Sequence, residues 1–237
     1  MCSVPKRLHV DKKLYGWKPV HYVNGVPWPR VDIKAAAAAK NVDVPLKEEY
    51  LMRSMDYLDT DEAKMIFDAQ ADIIMKNQMT GIIDVGCRIG RINDILHDRG
   101  YTGYSYLGFD TSPEPIAYSQ QVWSEYQNIN YRHASWDERD KIAARFPVDC
   151  VIWSGVLLYR PDDHQRLFEE LTIDFYKAKY AIIQEPMPEQ SHWLPGLALH
   201  TIAGDLSQYK NKYSFYREQV LEAPIFSGRR KIVEIHI

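Results

Sequence analysis

Hydrophobic and polar positions follow two regimes along this chain. From residue 81 onward, short apolar runs of strand length recur at 81–85 (GIIDV), 104–110 (YSYLGFD), 128–132 (NINYR), 148–154 (VDCVIWS) and 179–186 (KYAIIQEP). Between them the spacing becomes helical. The stretch 90–99 places Ile92, Ile95 and Leu96 on one face, and 113–127 does the same with Ile116, Trp123 and Tyr126. A third helix is expected at about 137–145, where the apolar periodicity is weak. A fourth spans 161–175, with Pro161 suited to its first position and Asp162 and Asp163 to its first turn. Ahead of all these, 45–79 reads as a helix in two pieces divided near LDTDEA. Thr60 or Asp59 can cap the second piece, and Ile66, Phe67, Ile73 and Ile74 supply its buried face.

Strand–helix alternation of this kind predicts a parallel sheet covered on both faces. Runs that are apolar throughout suit strands buried on both sides. The chain then changes character, because 212–222 and 228–237 read as two strands joined by a short turn with no helix between them. The expectation is an α/β fold with a mostly parallel sheet of seven strands that finishes antiparallel.

Length and composition narrow this further. A chain of 237 residues can bury one sizeable core and is short for two. We expect a basic, aromatic N-terminal arm at 1–44, then a single domain at 45–237 with a helical cap at 45–79. Residues 1–34 carry seven Lys/Arg against two Asp, together with Tyr15, Trp17, Tyr22 and Trp28. That is either a solvated arm pinned by its aromatics or a segment that closes over a substrate or contacts a polyanion. The net charge of −3 argues against an extended grip on nucleic acid. No apolar run reaches bilayer length, and the first residues lack the apolar core of a secretory signal. Cys2, Cys87 and Cys150 are too few and too irregular for a disulfide framework or a zinc cluster, so a reducing cytoplasm is the expected compartment.

The candidate chemistry starts at the first strand's carboxyl end, where Asp84 precedes Gly86, Cys87, Arg88, Ile89 and Gly90. Glycine at 86 lets the backbone turn sharply beside a ligand, and Gly90 opens a helix whose free N–H groups suit an anion. The dinucleotide fingerprint G-x-G-x-x-G is absent, as is the Gly-Lys-Ser/Thr ending of a Walker loop. The second strand ends in Asp110, an acid placed to take both hydroxyls of a ribose. The competing role for Asp110 is to cap the next helix, a task Thr111 or Ser112 also suits.

These stretches resemble the class I S-adenosylmethionine-dependent methyltransferase superfamily. IIDVGCRIG is similar to its first motif, YLGFDTSPEPIAYSQ to its second, and FPVDCVIWSGVLLYRPD to its fourth. The antiparallel ending matches its last two strands. The resemblance covers about residues 55 to 237. It implies a Rossmann-like three-layer sandwich, S-adenosyl-L-methionine as cofactor, and Gly86 and Gly90 against the methionine part. Asp84 would meet the cofactor's amino group and Asp110 the ribose, with Thr111 or Ser112 along the adenine edge. Cys87, Arg88 and Ser154 complete the cofactor-side candidates. The third motif departs from the pattern, reading YRHASWDE where an Asp-Ala pair is common, so Ser135 and Trp136 stand in for it. His133 reads as a strand-end histidine without a ligand role. Arg88 occupies a position where glycine is common. It is read as an exposed loop arginine, a partner of the cofactor carboxylate, or an obstruction.

Methyl transfer depends on placing a nucleophile in line, often with one base. The acceptor pocket is expected over the carboxyl ends of the fourth and fifth strands, near Trp153, Ser154, Tyr159 and the long segment 187–208. His200, His192 and Glu185 are the catalytic candidates, and a small-molecule methyl acceptor at oxygen or nitrogen is the expected partner. Two alternatives stay open: a non-catalytic cofactor-binding partner subunit, and a nucleic-acid or protein methyltransferase using the basic arm. No N/D-P-P-Y/F turn, Pro-Cys pair or metal-ligand spacing is present, and Cys150 falls inside a strand, where a thiol is normally inert.

Overall fold

The strand runs assemble into one sheet, as their pattern requires. The computed structural model describes residues 18–23, 26–30, 61–135, 138, 146–156, 172, 176–186, 211–223 and 228–237. Within the expected arm, β1 (Lys18–Val23) and β2 (Val26–Arg30) pair as an antiparallel ladder. The alternation did not announce these strands, because Pro19, Pro27 and Pro29 interrupt them. Proline is tolerated on edges, and in a ladder of two strands both are edges.

Helix α1 (Asp61–Lys76) leads into β3 (Gly81–Val85), α2 (Arg91–Asp98), β4 (Ser105–Asp110), α3 (Pro113–Val122), β5 (Ile129–His133), β6 (Cys150–Ser154), β7 (Tyr180–Pro186), β8 (Phe215–Ala223) and β9 (Gly228–His236). The seven strands β3 to β9 form one sheet in the order β5-β4-β3-β6-β7-β9-β8. β3, β4, β5, β6 and β7 run parallel, whereas β9 is antiparallel to both β7 and β8. The α/β fold with a reversed terminal strand is therefore as expected. Apart from Glu138 and Thr172, the expected helices at 137–145 and 161–175 lie outside the described residues, as do the first piece of 45–79 and the caps of the second, Asp59 and Thr60.

Strand periodicity divides the core in two. Ile82, Tyr106, Ile152 and Ile182 face α1 and α2, where Ile66, Ile73, Ile74, Ile92, Ile95 and Leu96 are buried against them. Ile83, Val85, Leu107, Phe109, Val151, Trp153 and Ile183 pack on the opposite face. All five residues of β3 are buried, as a central strand demands. β5 departs from that expectation. It is an edge strand, with Ile129 and Tyr131 buried and Asn130, Arg132 and His133 exposed.

Helix α3 stops at Val122, short of the expected 127, and Trp123 forms its cap. The rings of Trp123 and Tyr126 lie 4.9 and 5.0 Å from that of His97, near the end of α2. Their spacing thus marks a turn folded back onto α2, not a further helical turn. At the amino edge of the sheet, Asp149 accepts hydrogen bonds from the Thr80 amide (2.9 Å), the Thr80 hydroxyl (2.6 Å) and the Gly81 amide (3.2 Å). The acid that begins the fourth strand run is accordingly a clip between β3 and β6, far from their carboxyl ends. No described helix is long and apolar enough to cross a membrane.

Candidate functional site

The loop after β3 is built on alternating backbone handedness. Gly86, Arg88 and Gly90 have φ of 67°, 50° and 66°. Two are glycines, and both need to be. A Cβ on Gly86 would stand 2.5 Å from Val156 Cγ2, and one on Gly90 would collide with the Tyr131 ring. Gly90 caps α2 in the left-handed conformation with no side-chain cap. Arg88 adopts a conformation that L residues avoid at about 1–2 kcal/mol. Its amide shows what holds it there, because it donates to Asp110 Oδ2 at 3.0 Å. The amides of Gly86 and Cys87 both donate to the Phe109 carbonyl, at 2.8 and 3.1 Å. The loop is thus sewn onto the end of β4.

Asp110 is the centre of that stitching. Its Oδ1 accepts the Ser112 amide at 2.8 Å, so the carboxylate also caps α3, while the N-cap residue Ser112 makes no side-chain cap bond. A carboxylate offers about four acceptor positions. Two are used by backbone amides, leaving a pair suited to adjacent hydroxyls. The ribose and cap readings of Asp110 are therefore compatible. Thr111 is exposed beside it, and its carbonyl oxygen lies 3.2 Å from His133 Nε2.

Asp84 lies one turn deeper, 5% exposed, and accepts the Tyr106 hydroxyl at 2.8 Å. Burial pushes its carboxyl up to about 7; the Tyr106 hydrogen bond counteracts this and the Asp110 charge reinforces it. The Cys87 thiol is held well above its ordinary range, first by burial and then by Asp84 and Asp110. It is a packed, neutral thiol. Under Gly90, Asn93 donates to the Tyr131 hydroxyl at 2.7 Å and accepts the Tyr104 hydroxyl at 2.9 Å, which fixes the floor of the loop. Arg91 lies in the first turn of α2. Its guanidinium is buried against Asp94 at 2.8 Å.

On the other side of Gly86 lie the ends of β6 and β7. Val85 pairs with Trp153 in register, which brings Ser154 alongside Gly86. The Ser154 hydroxyl accepts from Gln70 Nε2 of α1 at 3.1 Å and donates to Gln184 Oε1 at 2.9 Å. Glu185, 2% exposed, accepts the Val156 amide at 3.0 Å. Through Val156 it supports Gly86. The Ser135 amide donates to Glu138 Oε2 at 3.0 Å and the Glu138 amide donates back to the Ser135 carbonyl at 3.1 Å.

The structure thus places Asp84, Gly86, Cys87, Arg88, Gly90, Asp110, Thr111 and Ser154 at or beside the carboxyl ends of β3, β4 and β6, where the strand order reverses and a parallel sheet leaves its crevice, with Glu185 near the end of β7. Trp136, His192 and His200 lie outside the described residues. Sequence reasoning missed Tyr106, Tyr131, Asn93, Val156 and Gln70. Only Gln70 left a clear trace, as a polar residue in the apolar stripe of α1 formed by Ala63, Ile66, Ile73 and Ile74. Among the described residues, no three His, Cys, Asp or Glu side chains gather as a metal site would need.

No protein-family model matches the chain, and no curated protein matches its sequence. Solved structures do. The N-methyltransferase NodS from Bradyrhizobium japonicum WM9, in complex with S-adenosyl-L-homocysteine, superposes with a TM-score of 0.61 at 10% identity, over 84% of this chain and 96% of that one. Magnesium protoporphyrin IX methyltransferase (ChlM) from Synechocystis PCC 6803, also with S-adenosylhomocysteine bound, gives 0.58 at 14% identity, over 84% and 92%. The methyltransferase domain of a bacterial Hen1 gives 0.57 at 15% identity, over 75% and 99%. The fold is that of the class I S-adenosylmethionine-dependent methyltransferases.

Proposed function

We propose that this chain is an S-adenosylmethionine-dependent methyltransferase acting on an oxygen or nitrogen of a small molecule. The carrying observation is Asp110, tied by two amides to the loop and to α3 with two acceptor positions to spare, beside a turn whose glycines at 86 and 90 pack tightly on Val156 and Tyr131. These residues fit the cofactor. Asp110 would hold the ribose hydroxyls, the backbone of the turn from Gly86 to Gly90 would border the methionine end, and Asp84 would stand behind it as a carboxyl that a nearby cation favours in its charged form. When bound, the cofactor supplies a methyl group on a cationic sulfur.

The chain's own share of the work is positioning. The amides of Gly86, Cys87 and Arg88 hold the turn on β4, and Glu185 holds the Val156 backbone against it. In this reading Glu185 serves the loop, and His192 and His200 are the candidate bases. Arg88 supports the loop through its amide. A small-molecule acceptor and a cytoplasmic setting fit the acidic net charge and the sparse cysteines.

The test is transfer of radiolabelled methyl from S-adenosylmethionine to pools of hydroxyl- and amine-bearing small molecules, run beside total RNA, duplex DNA and a protein mixture. Label in a small-molecule pool is expected. Label confined to a macromolecule would overturn the acceptor class. Its absence everywhere, in protein that binds S-adenosylhomocysteine, would overturn the catalytic reading.

A further inference from the structure

Three polar side chains from three elements meet where a core would ordinarily be apolar. Gln70 of α1 donates to the Ser154 hydroxyl, and that hydroxyl donates to Gln184 of β7. Gln70 is 0% and Gln184 1% exposed, whereas Ser154, at the carboxyl end of β6, is half-buried, so it is the one member of this chain of bonds with surface to offer a ligand. The far amide atoms, Gln70 Oε1 and Gln184 Nε2, are buried with no hydrogen-bond partner. Such atoms cost about 1–3 kcal/mol each in a core, and apolar residues at 70 and 184 would avoid that cost. The arrangement therefore asks for a use.

A hydroxyl has one proton and two lone pairs. Here the proton is committed to Gln184 and one lone pair to Gln70, which leaves one lone pair for the crevice. Rotating both amides reverses the direction of the bonds and leaves the same lone pair over. Ser154 stands beside Gly86, and the Asp110 carboxylate is tied to the same turn through the Arg88 amide. What suits that lone pair is a positively charged N–H donor. We propose that Gln70 is a positioning residue: acting through Ser154, it fixes a hydroxyl lone pair beside Gly86 as acceptor for the α-ammonium group of the cofactor's amino-acid end. This rests on the methyltransferase reading of the crevice.

Calorimetric titration of the full chain with three probes tests it. S-adenosylhomocysteine carries both ammonium and carboxylate, its decarboxylated analogue keeps only the ammonium, and 5′-methylthioadenosine has neither. Ser154→Ala is expected to weaken the first two by about tenfold or more, the scale of a hydrogen bond to a charged group, and to leave methylthioadenosine within about twofold. Gln70→Leu should weaken the same two probes by about threefold to tenfold and spare the third. Gln70→Glu should restore them, since a neutral carboxyl donates to Ser154 as the amide does and an ionised one merely reverses the bonds. Should Gln70→Leu fail to fold, Gln70→Met, which equally lacks the polar atoms, takes its place beside Ser154→Ala and Gln70→Glu.

Equal weakening of all three probes, or of none, overturns the positioning role. A Ser154→Ala effect that disappears with the decarboxylated analogue shows the hydroxyl serving the carboxylate, and overturns it too. If the unaltered chain binds none of the probes, the methyltransferase reading itself falls, and this assignment with it.

Discussion

Replacing Asp84 with asparagine should make the ligand-free protein more stable in a pH-dependent way. The carboxyl is almost fully buried, takes one hydrogen bond from Tyr106 and lies near a second carboxylate, Asp110. Its value rises from 3.8 to about 7 on folding. At roughly 1.4 kcal/mol per pH unit, that corresponds to about 4 kcal/mol. Because the folded value lies above the unfolded one, the native chain holds a proton that the unfolded chain has released between about pH 4 and pH 7. Stability from this group is full below pH 4, falls as pH rises through that window, and is lost above about 7. Asparagine stays neutral throughout and still accepts the Tyr106 hydroxyl. Urea unfolding at pH 4, 6 and 8 should therefore give equal stabilities at pH 4 and an advantage of about 2–4 kcal/mol for Asp84→Asn at pH 8. Subtracting the two profiles removes every other titrating group. Parallel profiles at all three pH values would refute the claim that folding buries this charge at a cost.

Two further outcomes follow from the loop. Gly90→Ala should cost about 2–4 kcal/mol in urea unfolding, from left-handed strain plus the clash with Tyr131, and an unchanged midpoint would show that the turn relaxes freely. Arg88→Gly relieves strain at φ 50° but adds unfolded-state entropy, so its stability should stay within about 1 kcal/mol. Its affinity for S-adenosylhomocysteine should stay within about threefold, and a tenfold loss would instead make the guanidinium a ligand.

The sheet was legible because periodicity reports burial directly. Each central strand is a largely apolar run, and the antiparallel ending shows as two runs with no helix between. The site was legible only where backbone geometry demands a residue type, as at Gly86 and Gly90, or where an acid ends a strand, as at Asp110. What stayed hidden depends on partners distant in sequence. Tyr106 and Tyr131 read as ordinary strand aromatics, yet their hydroxyls serve Asp84 and Asn93. Arg91 opens α2, and only the folded chain shows its guanidinium buried against Asp94. The left-handed backbone of Arg88 leaves no mark in composition or spacing, because what stabilises it is the carboxylate of Asp110, 22 residues on. Ser154 read as a crevice residue, and only the folded chain shows Gln70 reaching it from α1.

The most direct measurement is titration of the chain with S-adenosylhomocysteine, before and after Asp110→Ala, with the urea midpoint followed alongside. The account predicts micromolar binding by the unaltered chain and a loss of about a hundredfold in the variant, the scale of two hydrogen bonds to a charged group. A folded chain that binds no S-adenosylhomocysteine, or an Asp110→Ala variant that binds it equally well, would contradict the account.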